Sequence, residues 1–148
     1  MIKIFEDFNI MKDYNRIYSV LKSVRDELIT KYSEEYVKDY GLSGVCGEAS
    51  KMIVSELKKI GYEAKLVEGD FLMDENEWME DPTDKPNLKK YNHVWVELDG
   101  YVMDVTSDQY INKDGIPKII FSKMEDCPRH IRTEEEYWEA YDKLMGFL

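Results

Sequence analysis

The chain has 148 residues, of which 43% are hydrophobic, and this length suits one domain with a core of its own. It carries 20 basic and 31 acidic residues, so its net charge is −11, which argues against binding to nucleic acid because that needs clustered Lys and Arg. No apolar run approaches the roughly 20 residues of a membrane-spanning helix, and the first residues lack the pattern of a secretory signal. Two cysteines are too few for a disulfide framework, so a reducing, cytoplasmic location is expected.

The first part of the chain is predicted to be helical. Residues 11–31 place apolar side chains at helical spacing between charged ones, which indicates an amphipathic helix. A short helical turn is predicted over residues 33–40. Residues 45–60 predict the next helix, with Ser43 or Gly44 as its expected N-terminal cap.

The second part is predicted to consist of strands and a closing helix. Four segments have the composition of strands: residues 62–69, 91–98, 101–106 and 115–122. The acidic, proline-containing residues 70–90 show no clear period, and a lid and a solvated insertion are both open interpretations. Residues 133–147 predict a helix, with Thr133 and Glu136 spaced as a capping box. This order indicates an α+β fold, with N-terminal helices packed on an antiparallel sheet of about four strands and a C-terminal helix.

A hairpin in the strand region carries the first chemical signal. Asp99-Gly100 lies between two strand-like runs and predicts a two-residue type I′ turn. The register of that turn places His93 and Asp104 on the same face, at a diagonal distance of about 7–8 Å, within reach of an imidazole–carboxylate hydrogen bond. Turn chemistry alone therefore predicts a histidine that is oriented by a carboxylate.

Cys46 lies in "GLSGVCGEAS", at the predicted start of the second helix. Unpaired N–H groups and the positive end of the helix dipole favour a thiolate there. With His93 as base and Asp104 as its orienting acid, this thiol completes the Cys-His-Asp arrangement of covalent acyl-transfer chemistry. The Cys46 N–H would supply half of an oxyanion hole. The alternative is a small, buried core cysteine without chemical function.

These segments resemble a known family. "GVCGEAS", "LKKIGYEAKLVEG" and "HVWVELDGYVMDVT" are similar to the transglutaminase-like branch of the papain-like cysteine enzymes, over about residues 40–110. That family has a cysteine at a helix start, a strand with the pattern H-x-W-[VL]-E, and an aspartate on the next strand. The resemblance implies Cys46 as nucleophile, His93 as base and Asp104 as orienting acid. It also implies a single transglutaminase-like domain over residues 1–148, with its papain-like core at residues 40–122.

The second donor of the oxyanion hole is left open by the sequence. Papain-like peptidases usually supply a glutamine shortly before the cysteine, whereas the only glutamine of this chain is Gln109. The candidates for an oxyanion donor or a substrate contact are Tyr40, Ser43, Asn92 and Trp95.

The expected function is therefore a cysteine-dependent amide-bond hydrolase or acyl transferase: a peptidase, a deamidase or a transglutaminase. Its substrate is expected to be a peptide or protein, and a basic one would suit the acidic chain, with neither nucleic acid nor a membrane as partner. No cofactor or metal is expected, since a zinc site built on "CPRH" (Cys127 to His130) would need both Cys46 and His93 as well. The alternative is a non-catalytic acidic binding or inhibitor module on the same fold.

Overall fold

The structure, a computed structural model, describes residues 10–33, 35, 44–75, 87–107 and 118–146. Its fold is α+β, as the order of predicted elements indicates. The elements in chain order are α1 (Tyr14–Tyr32), α2 (Cys46–Lys59), β1 (Lys65–Asp74), β2 (Leu88–Leu98), β3 (Tyr101–Asp104), β4 (Ile120–Lys123), a 3₁₀ turn (Met124–Asp126), β5 (His130–Ile131) and α3 (Glu134–Leu144).

The strands form an antiparallel sheet in the order β4-β3-β2-β1-β5. The predicted antiparallel sheet is confirmed, but it has five strands among the described residues where about four were expected. The additional strand is β5, which pairs His130 with Phe71 of β1. Two residues are too few to show a strand pattern, so the sequence gives no sign of β5. This strand lies beyond residue 122, and it brings the C-terminal segment into the sheet.

The hydrophobic core lies mainly between the helices α1 and α2 and one face of the sheet. Apolar side chains of both helices pack there against alternate residues of β2 and β3, among them Leu21, Leu28, Ile53, Leu57, Val96 and Met103. A second, smaller cluster contains Trp95, Val102 and Cys127. Because neighbouring residues of a strand point to opposite faces, Trp95 and Val96 belong to different clusters.

The turn between β2 and β3 has the predicted geometry. Asp99 and Gly100 both have positive φ, 48° and 84°, as a type I′ turn requires. Leu98 pairs with Tyr101 across the hairpin, so the register is the predicted one. The turn chemistry therefore determines which side chains of β2 and β3 share a face.

The prediction for residues 70–90 is wrong at both of its ends. β1 continues to Asp74, β2 begins at Leu88, and these two residues pair with each other. Consecutive buried residues at 71–73 explain the error, because a strand covered on both faces shows no alternation of apolar and polar side chains. Residues 76–86, where a lid or an insertion was considered, lie outside the described residues.

The two helix starts that were predicted differ in outcome. At α3 the Thr133 side chain accepts a hydrogen bond from the Glu136 backbone N–H (3.2 Å), as a capping box requires. At α2 the N-cap is Val45 rather than Ser43 or Gly44, and the Val45 side chain makes no capping hydrogen bond. The turn predicted over residues 33–40 lies largely outside the described residues. Within the described part of the chain, no helix is both long enough and apolar enough to cross a membrane.

Candidate active site

His93 and Asp104 form a direct hydrogen bond across the β2–β3 hairpin. The distance from His93 Nε2 to Asp104 Oδ2 is 2.6 Å, and the two residues are only 1% and 2% exposed. The predicted contact is therefore confirmed. It is made in surroundings that exclude water, where a hydrogen bond to a charged partner is stronger than in solution.

Cys46 is the first residue of α2, and its side chain is about half buried. His93 and the backbone of Val94 lie beside its thiol, where both lower its pKa. Because Asp104 takes Nε2 of the imidazole, Nδ1 is the ring nitrogen that is left for the thiol. The Ser50 hydroxyl also donates to the Val94 carbonyl (3.3 Å), which ties the first turns of α2 to β2 beside the thiol.

The pKa values of Cys46, His93 and Asp104 are all shifted from their ordinary values. The hydrogen bond from His93 lowers the pKa of Cys46 below its ordinary value, against the opposing effects of burial and of the Asp104 charge. Burial on its own would lower the pKa of His93, but the charge and hydrogen bond of Asp104, together with Cys46, raise it to about 9. Burial would raise the pKa of Asp104, yet the two histidines hold it well below its usual range. Each of the three shifts therefore favours the charged form of its group: thiolate at Cys46, imidazolium at His93 and carboxylate at Asp104.

The Asp104 carboxylate accepts hydrogen bonds at both of its oxygens. Oδ1 accepts from the Thr106 backbone N–H (2.9 Å) and from the Thr106 hydroxyl (3.2 Å). Oδ2 accepts from the Ser107 hydroxyl in addition to His93. The chain thus turns back at the end of β3 to hold the carboxylate in one orientation, which in turn fixes the His93 ring.

His130 is a member of this group that the sequence did not predict. Its Nε2 lies 2.8 Å from Asp104 Oδ2, the same oxygen that His93 contacts. The sequence associated His130 with Cys127 as half of a zinc motif, and the edge strand that carries it to Asp104 is too short to leave a pattern. The two histidines of the chain therefore share one carboxylate oxygen.

Aromatic rings hold the two imidazoles in place. The Phe71 ring stands edge-on to both of them, with ring centroids 5.7 Å from His93 and 5.2 Å from His130. Trp95 packs edge-on against His130 at 5.0 Å. Neither imidazole can turn without displacing a buried aromatic ring, so their nitrogens stay directed at Asp104.

His93, Asp104 and His130 are also the described residues whose donor atoms come close enough together, within 4.8 Å, to hold a metal ion. However, each Nε2 lies at hydrogen-bond distance, 2.6 or 2.8 Å, from the same oxygen. The ligand atoms of a tetrahedral zinc, each at about 2.0–2.2 Å from the metal, are roughly 3.3 Å from one another. We therefore interpret the group as a hydrogen-bond network.

The candidates for an oxyanion donor or a substrate contact have different outcomes. Trp95 is excluded, because its side chain is fully buried and its indole N–H donates to Glu97 (2.8 Å). Asn92 lies next to His93 on β2 with an exposed side chain, which points away from the face of His93. Tyr40 and Ser43 lie outside the described residues, as does Gln109.

Cys127 has a different environment from Cys46. It is 8% exposed and packs with Trp95 and Val102. Burial, followed by the charges of Asp126, Asp104 and Glu97, raises the pKa of Cys127 to about 11. It is a neutral thiol with no activating base.

A cavity of about 250 Å³ lies beside α3 and does not include Cys46 in its lining. Its walls include Glu97, Val102, Cys127, His130, Arg132 and Glu136. Arg132 donates to Glu136 and to Glu97 (3.0 Å), so it offsets part of the negative charge of the wall. The cavity and the Cys46 thiol are therefore separate features. His130 lines the cavity and also contacts Asp104.

No protein-family model, curated protein or solved structure matches this chain. The resemblance to the transglutaminase-like enzymes rests on motifs of the sequence, so it stays a prediction. What bears on function is the arrangement of Cys46, His93 and Asp104 in the structure.

Proposed function

We propose that the protein is a cysteine-dependent amide-bond hydrolase or acyl transferase, with Cys46 as nucleophile, His93 as general base and acid, and Asp104 as the orienting carboxylate. The observation that carries the proposal is the buried hydrogen bond between His93 and Asp104 (2.6 Å), with the Cys46 thiol beside the same imidazole at the start of α2. A lowered thiol pKa beside a raised imidazole pKa is what activates a sulfur nucleophile at neutral pH.

In the first half of the proposed reaction, the Cys46 thiolate attacks the carbonyl carbon of an amide. Negative charge then develops on the carbonyl oxygen, where the Cys46 backbone N–H and the positive end of α2 stabilise it. The C–N bond breaks as His93 gives its Nδ1 proton to the leaving amine. The product is a thioester on Cys46, and His93 is left neutral.

In the second half, His93 Nδ1 removes a proton from the acyl acceptor, which attacks the thioester carbonyl. With water as acceptor the acyl group leaves as a carboxylic acid, and with an amine it leaves as a new amide. The C–S bond breaks in both cases, and the Cys46 thiolate and the His93 imidazolium are restored. The same residues therefore serve a peptidase, a deamidase or a transglutaminase. Water as acceptor gives a peptidase or a deamidase, and an amine gives a transglutaminase.

A papain-like core of the transglutaminase-like type is part of the proposal. It is supported by a cysteine at the start of α2, a histidine on β2 and an aspartate on the adjacent β3, in that chain order. A net charge of −11 suits a basic peptide or protein as substrate. The reaction needs Cys46 reduced, which agrees with the expected cytoplasmic location.

The experiment is incubation of the protein with a library of peptides that contain glutamine and lysine. Ammonia release, new amino termini and new isopeptide bonds would be measured by mass spectrometry. We expect at least one of these products, together with a thioester adduct on the Cys46 peptide. Cys46→Ala serves as the control and should form none of them.

The same experiment separates the enzyme from the non-catalytic binding module. A binder would form no adduct, and its Cys46 would react with iodoacetamide at the rate of an ordinary thiol. Absence of all products, combined with that ordinary rate, would reject the proposed function in favour of the binder.

A further inference from the structure

The Asp104 carboxylate serves two buried imidazoles, and the proposed reaction uses only one of them. Nε2 of His93 and Nε2 of His130 lie 2.6 and 2.8 Å from the same oxygen. An ionised carboxylate can only accept hydrogen bonds, so each of these nitrogens must carry a proton. The contact alone therefore determines on which nitrogen of His130 a proton lies.

The other nitrogen of His130 determines the charge of that ring. His130 Nδ1 is buried and has no hydrogen-bond partner among the described residues. A proton there would be a buried donor without an acceptor, and it would add a second positive charge at 6.0 Å, between ring centroids, from the His93 imidazolium. His130 is therefore best accommodated as a neutral ring with its proton on Nε2.

We propose that His130 is a positioning residue: a neutral imidazole that donates from Nε2 to Asp104 and holds this carboxylate in place for the Cys46–His93 pair. The inference rests on the proposed function and extends it by one residue. His130 acts through Asp104, together with Ser107 on the same oxygen. It does not contact the reacting atoms.

Because Asp104 is shared with His130, it raises the pKa of His93 less than it otherwise would. The charge of Asp104 raises the pKa of His93, and each neutral donor on Oδ2 draws part of that charge away from the His93 ring. The other titratable or charged groups around His130 are His93 on β2, Cys127 in the segment before β5, and the groups that line the cavity with it: Glu97, Glu125, Arg132, Glu136, Glu139 and Lys143. From β1 it meets the uncharged Phe71. Loss of the His130 donor should consequently raise the pKa of His93 further.

The test is long-range ¹H–¹⁵N NMR of the imidazole nitrogens in the resting full-length protein. With two histidines in the chain, two ring patterns are expected, and one variant assigns them. We expect His93 to be protonated on both nitrogens up to about pH 9, and His130 to carry its proton on Nε2 and none on Nδ1. A proton on Nδ1 of His130, or a doubly protonated His130 at neutral pH, would overturn the proposal.

Two variants complete the test. His130→Phe keeps a ring without a donor and should move the His93 midpoint upward by about half a pH unit, less than the 1–3 units that a full charge partner brings. His130→Gln places an amide N–H near the position of Nε2 and should restore the wild-type midpoint. Equal His93 midpoints in wild type and His130→Phe would contradict the proposal, whereas a merely structural role predicts no rescue by glutamine.

The NMR spectra and the peptide assay test the role of His130 and the proposed function separately. The rings are observed in protein without substrate, so their protonation does not depend on turnover. A protein that cleaves no amide would lose the proposed function, while the assignment of the His130 proton would stand or fall on the spectra. If His130→Phe does not fold, the wild-type spectrum alone still decides which nitrogen is protonated.

Discussion

The two cysteines of this chain show how surroundings determine the chemistry of one residue type. Cys46 begins a helix, is about half buried and has a base beside it, and its pKa is lowered chiefly by the hydrogen bond with His93. Cys127 follows a 3₁₀ turn and is buried on Trp95, and burial raises its pKa to about 11. Both lie near the Asp104 charge, which disfavours either thiolate. The difference comes from the imidazole, which only Cys46 contacts.

The largest difference between the two cysteines should appear when each thiol is removed in turn. Cys46→Ala should reduce turnover by about 10⁵- to 10⁶-fold, as should His93→Ala, and the double variant should lose little more, because the two residues act as a unit. Cys127→Ser should keep activity within about twofold of wild type, apart from any loss of stability. Initial rates on the peptide substrate measure all four proteins. Full activity in Cys46→Ala, or its loss in Cys127→Ser, would show that the wrong cysteine has been assigned.

The charge of Asp104 is the next largest contribution that can be tested. Asp104→Asn keeps the size of the side chain but removes the charge that favours the His93 imidazolium, and we expect turnover to fall by about 10³- to 10⁴-fold. The matched control is Asp99→Asn in the exposed turn, where φ is 48° and asparagine is well tolerated. A loss of less than about tenfold in Asp104→Asn would mean that this carboxylate does not orient the base.

Alkylation rates compare the two thiols directly. In Cys127→Ser, iodoacetamide should react with Cys46 near neutral pH, and His93→Ala in that background should slow the reaction about tenfold or more by raising the thiol pKa toward its ordinary value of about 8.5. In Cys46→Ser, the Cys127 thiol should stay unreactive until the solution is strongly alkaline. A titration of Cys46 above about pH 8.5 that His93→Ala leaves unchanged would remove the distinction between the two cysteines.

The smallest expected effect lies in the dependence of stability on pH. A raised His93 pKa contributes stability that is present below its unfolded pKa of about 6.5 and is lost as pH rises through about 9. A lowered Cys46 pKa acts in the opposite sense, contributing stability above the unfolded pKa of about 8.5 that is lost as pH falls. The two shifts therefore act against each other, so the free energy of unfolding should depend on pH less steeply than the His93 shift alone would make it.

Cys46→Ala should remove the opposing contribution of the thiol and so steepen the pH dependence. Without the thiol, the folded protein keeps the His93 proton while the unfolded chain loses it, so stability should fall with rising pH by at most about 1.4 kcal/mol per unit. Urea unfolding at several pH values measures both proteins, with Cys127→Ser as the control that should keep the wild-type slope. The same slope in wild type and Cys46→Ala would indicate that no proton passes from sulfur to nitrogen on folding.

The sequence by itself determined the parts of this site that depend on local rules. A type I′ turn at Asp99 and Gly100 allows only one register of β2 and β3, and since side chains alternate along a strand, that register brings His93 beside Asp104. The position of Cys46 at a helix start likewise follows from the helical period of residues 45–60. Such features extend over a few residues, so their patterns can be read without the rest of the chain.

Other features were decided only by the tertiary structure, because they depend on contacts between residues that are distant in the chain. His130 reaches Asp104 through β5, and two residues of strand leave no period in a sequence. The sequence offers Trp95 as a candidate for contact with substrate, whereas in the structure Cys127 and Val102 pack on it and its side chain is buried. The pKa of Cys127 likewise depends on burial beneath other elements. Burial results from the packing of the whole chain, so no single segment can reveal it.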